Sequence, residues 1–112
     1  MSDYGAHPTQ YGNLSDGNLY AMYRESVYRS LSESQKLDLL QETVNRDAAA
    51  RGEVGSPKVR FENLPSGTDG YAEKGIISVN RDLAVNGTRT ATYQGKTLQH
   101  TINDYNIQSL VT

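Results

Sequence analysis

The feature that most constrains the fold is a change in hydrophobic period across the turn formed by residues 52–57. Before this turn, apolar side chains recur every three or four residues, as they do on one face of an amphipathic helix. After it, residues 58–63 alternate polar and apolar side chains, as a half-buried strand does. Helices followed by strands predict an α+β fold, in which two N-terminal helices pack on a small, mainly antiparallel sheet.

The first predicted helix begins at Ser15 or Asp16, either of which is a good N-cap. Its apolar face is formed by Leu19, Met22, Tyr23, Val27 and Leu31. Three tyrosines also lie at helical spacing, Tyr20, Tyr23 and Tyr28. We expect them to place their rings at the edge of the core and their hydroxyls in water, since tyrosine combines an apolar body with a polar tip.

A second helix begins with the sequence Ser32-Glu33-Ser34-Gln35, which matches a capping box. It ends at Gly52, and Arg51 is well placed for the negative end of the helix dipole. The predicted inner stripe consists of Leu37, Leu40, Val44 and Ala48. The predicted outer face is charged and solvated, and it carries Lys36, Asp38, Glu42, Arg46 and Asp47.

The strands follow from alternation and from breaker residues. Val59 and Phe61 are expected to face the core from the first strand, and residues 64–70 form a loop rich in Gly and Pro. Short strands are predicted at Tyr71–Ala72 and at Ile76–Asn80, whereas residues 81–85 fit neither pattern. Residues 88–102 predict a protruding β-ribbon that turns at Gln94-Gly95 and pairs Tyr93 with Lys96, Ala91 with Leu98 and Arg89 with His100.

The C-terminal segment predicts a short helix that starts at Asn103 or Asp104. Its apolar face, a candidate association face, consists of Ile107, Leu110 and Val111. A helix of about ten residues is marginal in water, and this one has no C-terminal cap. We therefore expect it to dock on the core or on another copy, and we expect residues 15–112 to be a single domain that is incomplete at its C-terminus. Residues 1–14 are expected to be a loose leader.

Composition excludes several classes of function. The formal net charge is −2, with 11 basic and 13 acidic residues dispersed along the chain, so no nucleic-acid partner is expected. The absence of cysteine excludes disulfides, Cys-ligated zinc and thiol nucleophiles. No membrane span or signal peptide is predicted, so the cytoplasm is the default location, although export of a parent protein stays open.

The sequence contains no catalytic constellation. Its two histidines, His7 and His100, do not lie in any spacing typical of metal ligands, and no Gly-x-Ser-x-Gly motif is present. His100 and Asp104 are the one local pair of histidine and carboxylate, and we interpret this pair as surface residues. No catalytic residue, metal ligand or cofactor is therefore predicted within this chain.

The order of elements nevertheless resembles a known architecture. The helix Leu31–Arg46, the strand with Val59-Arg60-Phe61, the glycine loop before Tyr71, the strand Ile76–Asn80 and a helix near Asp104 follow one another. This order resembles the front half of small bacterial zinc metallopeptidase-like (zincin-like) domains, some of which are toxin modules. The resemblance covers residues 15–112 and includes no catalytic residue, because the H-E-x-x-H helix of that family would begin where this sequence ends.

The resemblance implies a parent enzyme that uses zinc, supplied by a downstream H-E-x-x-H segment. It also implies that the strand before the metal-binding helix forms the edge of a cleft and pairs with extended substrate. The matching candidates are Ile76, Ile77, Ser78, Val79 and Asn80, although general considerations favour an ordinary core strand here. The first functional hypothesis is an incomplete zinc-metallopeptidase-like domain, inactive by itself. The alternative is a small interaction domain that binds a protein partner, or itself, through its last helix or a sheet edge.

Overall fold

The computed structural model describes residues 5–65, 67–86, 88–93 and 96–101. The helices in this part of the chain are α1 (Asp16–Ala21), α2 (Glu25–Tyr28), α3 (Glu33–Ala50) and α4 (Arg81–Asn86). The strands are β1 (Lys58–Glu62), β2 (Gly70–Glu73), β3 (Ile76–Asn80), β4 (Thr88–Tyr93) and β5 (Lys96–Thr101). Helices together with a small sheet confirm the α+β prediction.

The main sheet has three strands in the order β1-β3-β2. Strand β3 runs parallel to β1 and antiparallel to β2, so this sheet is mixed rather than mainly antiparallel. Strands β4 and β5 form a separate antiparallel pair in the predicted register, with Tyr93 opposite Lys96 and Arg89 opposite His100. The predicted C-terminal helix, with Ile107, Leu110 and Val111, lies outside the described residues.

Helix α3 is the longest described element, and its boundaries match the prediction. The Ser32 hydroxyl accepts a hydrogen bond from the Gln35 backbone N–H, and the Gln35 side chain accepts one from the Ser32 N–H, which completes the capping box. The helix is followed by Gly52 with a φ of +76°, a left-handed conformation that glycine adopts without strain. Four apolar residues of the helix are buried: Leu39, Leu40, Val44 and Ala48.

The prediction of one continuous helix before Ser32 is wrong, because α1 and α2 are separated by a turn. Tyr23 and Tyr28 are both buried, and their rings stack with centroids 6.1 Å apart. Five residues of continuous α-helix would separate these two side chains by about 140° around the axis. The break lets both rings enter one core, where their hydroxyls bond to Thr43 and to the Ala84 carbonyl rather than to water.

Two charged residues of α3 that were predicted to be solvated are buried. Lys36 is 7% exposed, and its ammonium group donates to the carbonyl of Val85 at 2.7 Å and lies 5.2 Å from the centre of the Tyr28 ring. Glu42 is 8% exposed and accepts a hydrogen bond from the Thr9 hydroxyl at 2.7 Å. The helix is covered on more sides than its charge pattern indicates.

The cover over Glu42 is the N-terminal segment, which is not loose where the structure describes it. Tyr11 belongs to the core, and Gly5 pairs with Ser56 in an isolated antiparallel bridge. Arg46 donates to the backbone carbonyls of Tyr11 and Leu14 at 3.2 and 2.6 Å. Residues 5–14 therefore pack along α3 as part of the folded unit.

One face of the sheet packs on the helices. Val59 and Val79 are each 1% exposed and join the side chains of α1, α3 and α4 in a single core. Phe61 and Ile77 pack against this core from the same face, which confirms the predicted inward direction of Val59 and Phe61. The sheet is thereby held against α3.

Candidate functional site

Strand β2 is a fully exposed strand at one edge of the main sheet. All four of its residues, Gly70–Glu73, are exposed. It is joined to β3 by the two-residue turn Lys74-Gly75, whose φ angles are +41° and +82°. Positive φ at both positions is the signature of a type I′ turn, which fits the twist of a tight hairpin. The position of β2 is therefore fixed by its pairing with the buried strand β3.

The outward-pointing backbone groups of β2 follow from its register. The N–H of Asn80 donates to the carbonyl of Asp69 at 2.8 Å, which makes these two residues a hydrogen-bonded pair just before the strand. Hydrogen-bonded and non-bonded pairs alternate along an antiparallel ladder. Tyr71 is therefore bonded to β3, while Gly70 and Ala72 direct their N–H and C=O groups away from it. These groups form a free edge.

The opposite edge of the sheet, along β1, is partly covered by Gln41 of α3. Its side-chain oxygen accepts from the backbone N–H of Val59 at 2.7 Å, and its side-chain nitrogen donates to the carbonyl of Pro57 at 2.9 Å. Gln41 is only 6% exposed, so these bonds are shielded from water. Among the described strands of the main sheet, β2 is thus the edge whose backbone has no such cover.

A groove of about 400 Å³ runs between α3 and β2. Its apolar lining comes from Val44, Pro57, Ala72 and Ile77. Ala72 pairs with Ile77 across the ladder, so both side chains lie on the face of the sheet that the groove occupies. The groove therefore begins directly beside the free backbone edge.

Charged residues border this groove. Asp47, Arg51 and Asp69 line it, and Arg51 forms ion pairs with Asp47 and with Glu53, the latter at 3.4 Å. Hydrogen bonding to Glu53, followed by the field of Asp47, raises the pKa of Arg51. Two carboxylates and one guanidinium therefore line the groove, so acidic side chains outnumber basic ones there.

The other face of the sheet carries a polar cluster around Tyr71. Its hydroxyl donates to Glu62 at 2.7 Å, and the Arg60 guanidinium donates to Ser78 at 2.8 Å. The hydrogen bond from Tyr71 is the main reason why the pKa of Glu62 lies below its usual value. The cluster ties β2 to both other strands and holds the edge strand in place.

The strand predicted to form a cleft edge, residues Ile76, Ile77, Ser78, Val79 and Asn80, is instead the central strand β3. Its backbone is paired with β1 on one side and with β2 on the other, so it has no edge on which to bind an extended chain. Ser78 and Val79 are also buried. Of the two residues with a free edge, Ala72 was predicted as part of a short strand and Gly70 as the end of the preceding loop.

The sequence contained one signal for the edge strand. The segment Gly70-Tyr71-Ala72-Glu73 is short, begins with glycine and has no large aliphatic side chain, as is common in strands that are not buried on both sides. The order of the strands could not be read from this signal, because β1 and β3 are neighbours although β2 lies between them in the chain.

The described residues do not form a metal site. No group of three or more His, Cys, Asp or Glu side chains in this part of the chain is arranged to hold an ion. The backbone carbonyl of His7 accepts from Asn45, His100 belongs to β5, and its predicted partner Asp104 lies outside the described residues. None of the described helices is long and apolar enough to cross a lipid bilayer.

Comparisons with protein-family models, with curated proteins and with solved structures gave no match for this chain. The free edge of β2 and its groove are the features of the described residues that indicate a function.

Proposed function

We propose that this domain binds an extended polypeptide segment, which adds to the free edge of β2 as a further strand. The observation that carries the proposal is the outward backbone of Gly70 and Ala72 beside an apolar groove. In strand addition, hydrogen bonds to the main chain supply affinity, and pockets for alternate side chains supply specificity. Both parts are present at this edge.

The contrast between the two edges of the sheet supports the proposal. Proteins usually protect an edge strand with charge, proline, bulges or a covering element. Gln41 gives such protection to β1, whereas all of β2 is exposed. An exposed edge whose strand is bonded to β1 through Tyr71 is suited to pairing with another chain.

A zinc-metallopeptidase-like parent is our second proposal. Its support is the resemblance in element order together with the free antiparallel edge at β2, because substrate in that family pairs with a sheet edge. Under this proposal the bound segment is a substrate, and the zinc ligands come from an H-E-x-x-H helix outside these 112 residues. The encoding gene tests it: such a motif directly after the codon for Thr112 supports the parent enzyme, and a stop codon there contradicts it.

Docking through the predicted C-terminal helix is the remaining candidate for an interaction surface. Its residues Ile107, Leu110 and Val111 are proposed to dock on a partner or on another copy of the chain. Amide exchange at several protein concentrations tests this, because protection that rises with concentration requires association. A cytoplasmic location stays our default proposal for the chain.

The strand-addition proposal is tested by removing one outward N–H. Proline is tolerated at an edge position whose N–H faces solvent, so Ala72→Pro should preserve the fold but block pairing. We expect random peptides selected by display on the native protein to lose measurable binding to Ala72→Pro. The matched control Ala72→Ser keeps the N–H and should retain binding. Equal binding of the selected peptides to Ala72→Pro, with an unchanged circular dichroism spectrum, would contradict the proposal.

A further inference from the structure

We infer that the segment bound by β2 has a basic residue opposite Glu73 and apolar residues opposite Ala72 and Gly70. Read in the direction antiparallel to β2, its sequence is basic, apolar, any residue, apolar. The inference rests on the proposed strand addition and specifies the chemistry of the partner. Antiparallel pairing is chosen because it is slightly more stable per residue than parallel pairing.

The apolar positions follow from which face each side chain occupies. Residues directly opposite one another on adjacent strands project to the same face of the sheet. The ligand residue opposite Ala72 therefore enters the groove, where Val44, Pro57 and Ile77 supply the apolar lining. Burying an apolar side chain there is favourable, whereas removing a polar side chain from water costs free energy.

The position opposite Gly70 is constrained by the glycine itself. A Cβ atom at Gly70 would lie 2.6 Å from the carbonyl oxygen of Ser78, so this place in the strand has no room for a side chain. Gly70 also lines the groove. A ligand residue opposite it consequently meets no side chain from β2 and extends over the groove, where an apolar group is again favoured.

The basic position follows from charge. Glu73 is exposed and is the last paired residue of β2 before the turn. Opposite charges facing one another across a strand pair are stabilising, and like charges are destabilising. Asp47 and Asp69 also line the groove, against one cation, Arg51, and they add to the preference for a basic over an acidic segment.

The same charges disfavour a second copy of this chain as the occupant. In the antiparallel register that uses Gly70 and Ala72 of both copies, Tyr71 faces its own equivalent. Asp69 of each copy then lies opposite Glu73 of the other, which places two pairs of carboxylates face to face. The partner is accordingly a different segment, one that carries positive charge.

Three peptides with blocked termini test the inference. The second and the third each differ from the first at one position. The first contains Lys-Val-Thr-Val, the second Glu-Val-Thr-Val and the third Lys-Asp-Thr-Val, all with the same polar flanks. We expect the first to bind most tightly in calorimetric titrations. The second should bind about tenfold more weakly, because an attraction is replaced by a repulsion, and the third about tenfold more weakly because its carboxylate enters the groove.

Reversing the charge of Glu73 in the protein is the decisive experiment. Glu73→Lys should invert the order of the first two peptides, so that the peptide with glutamate binds more tightly. Asp82→Lys makes the same change in net charge at an exposed position on α4 and should leave the order unchanged. An unchanged order in Glu73→Lys, or no binding of the first peptide to the native protein, overturns the inference.

Failure of the inference can be distinguished from failure of the proposed function. In one outcome, the display-selected peptides lose binding to Ala72→Pro, but the lysine and glutamate peptides bind equally well to the native protein. This outcome overturns the sequence preference and leaves strand addition standing. If every peptide binds Ala72→Pro as well as it binds the native protein, both the sequence preference and strand addition are overturned. A dimer of the native chain that Ala72→Pro dissociates in sedimentation experiments overturns the choice of a different segment as the occupant.

Discussion

The side-chain oxygen of Gln41 accepts a hydrogen bond of 2.7 Å from the backbone N–H of Val59. This single contact joins α3 to the outer edge of β1 at Val59, which is 1% exposed. It covers part of one edge of the sheet, whereas the described residues provide no such cover for β2. The asymmetry is the basis of the proposed function, and it also makes Gln41 a test of stability.

Replacing Gln41 should destabilise the fold. Gln41→Ala leaves the buried N–H of Val59 and the carbonyl of Pro57 without their partners, and an unsatisfied buried polar group costs about 1–3 kcal/mol. Urea denaturation measures the loss in the free energy of unfolding. The control Gln10→Ala alters an exposed amide bonded to Asp38 and should change that free energy by less than about 0.5 kcal/mol. Equal losses in the two variants would show that the bonds to β1 contribute nothing.

The capping box predicts a difference between two neighbouring serines. Ser32→Ala removes the hydroxyl that accepts from the Gln35 N–H and should cost about 1 kcal/mol of unfolding free energy. Ser34→Ala should be close to neutral, because its side chain is exposed and the hydroxyl contacts only that of Ser32 among the hydrogen bonds described for it. The two midpoints in urea should therefore differ. Identical midpoints would mean that the start of α3 does not depend on the cap.

The buried tyrosines predict a loss of stability in alkaline solution. Burial raises the pKa of the Tyr23 and Tyr28 hydroxyls above the ordinary value of 10.0. Above about pH 10 the unfolded chain releases protons that the folded chain retains, so unfolding becomes more favourable as the pH rises. Below that pH the contribution of these two groups to stability is fully present. The free energy of unfolding should thus fall progressively from about pH 10 upward.

Phenylalanine variants separate this effect from other alkaline transitions. Tyr28→Phe removes one of the two hydroxyls and should make the alkaline fall shallower. It should also lower stability at neutral pH by about 1 kcal/mol, because the hydrogen bond to the Ala84 carbonyl is lost. Tyr20→Phe, at a residue that is 49% exposed, should leave the slope unchanged. Parallel pH curves for the native protein and Tyr28→Phe would argue against the tyrosines as the cause.

Arg46 should be more important to stability than its charge alone indicates. It bonds Glu42 and Asp16 at 2.8 Å each, in addition to the carbonyls of Tyr11 and Leu14. Arg46→Met leaves the nearly buried carboxylate of Glu42 without its ion-pair partner, so we expect a loss of about 2–3 kcal/mol in thermal or urea denaturation. Arg24→Met, at an exposed residue, serves as the control and should be nearly neutral.

Zinc binding by the chain alone should be weak. Its only histidines are His7 and His100, and it has no cysteine, so a tight site with three or four protein ligands is not expected. Calorimetric titration with zinc should show no stoichiometric binding in the sub-micromolar range. A tight site that is lost in His100→Ala would contradict this prediction.

Local signals in the sequence determined much of the secondary structure. Ser32 and Gln35 specify the start of α3, because a capping box needs only residues three apart. Alternation placed Val59 and Phe61 on the inner face of β1, and the predicted pairing of Tyr93 with Lys96 gave the register of β4 with β5. These features depend on neighbours within a few residues, which the sequence displays directly.

Only the tertiary structure decided which strand is an edge and which charges are buried. The insertion of β3 between β1 and β2 removed the predicted edge at Ile76–Asn80 and created one at Gly70–Glu73. The burial of Lys36 and Glu42 depends on α4 and on the N-terminal segment, which lie far from α3 in the sequence. Likewise, the break between α1 and α2 is explained by Tyr23 and Tyr28 sharing one core. Hydrophobic period shows which face of an element is apolar, but strand order and coverage by distant segments depend on the free energy of packing the whole chain.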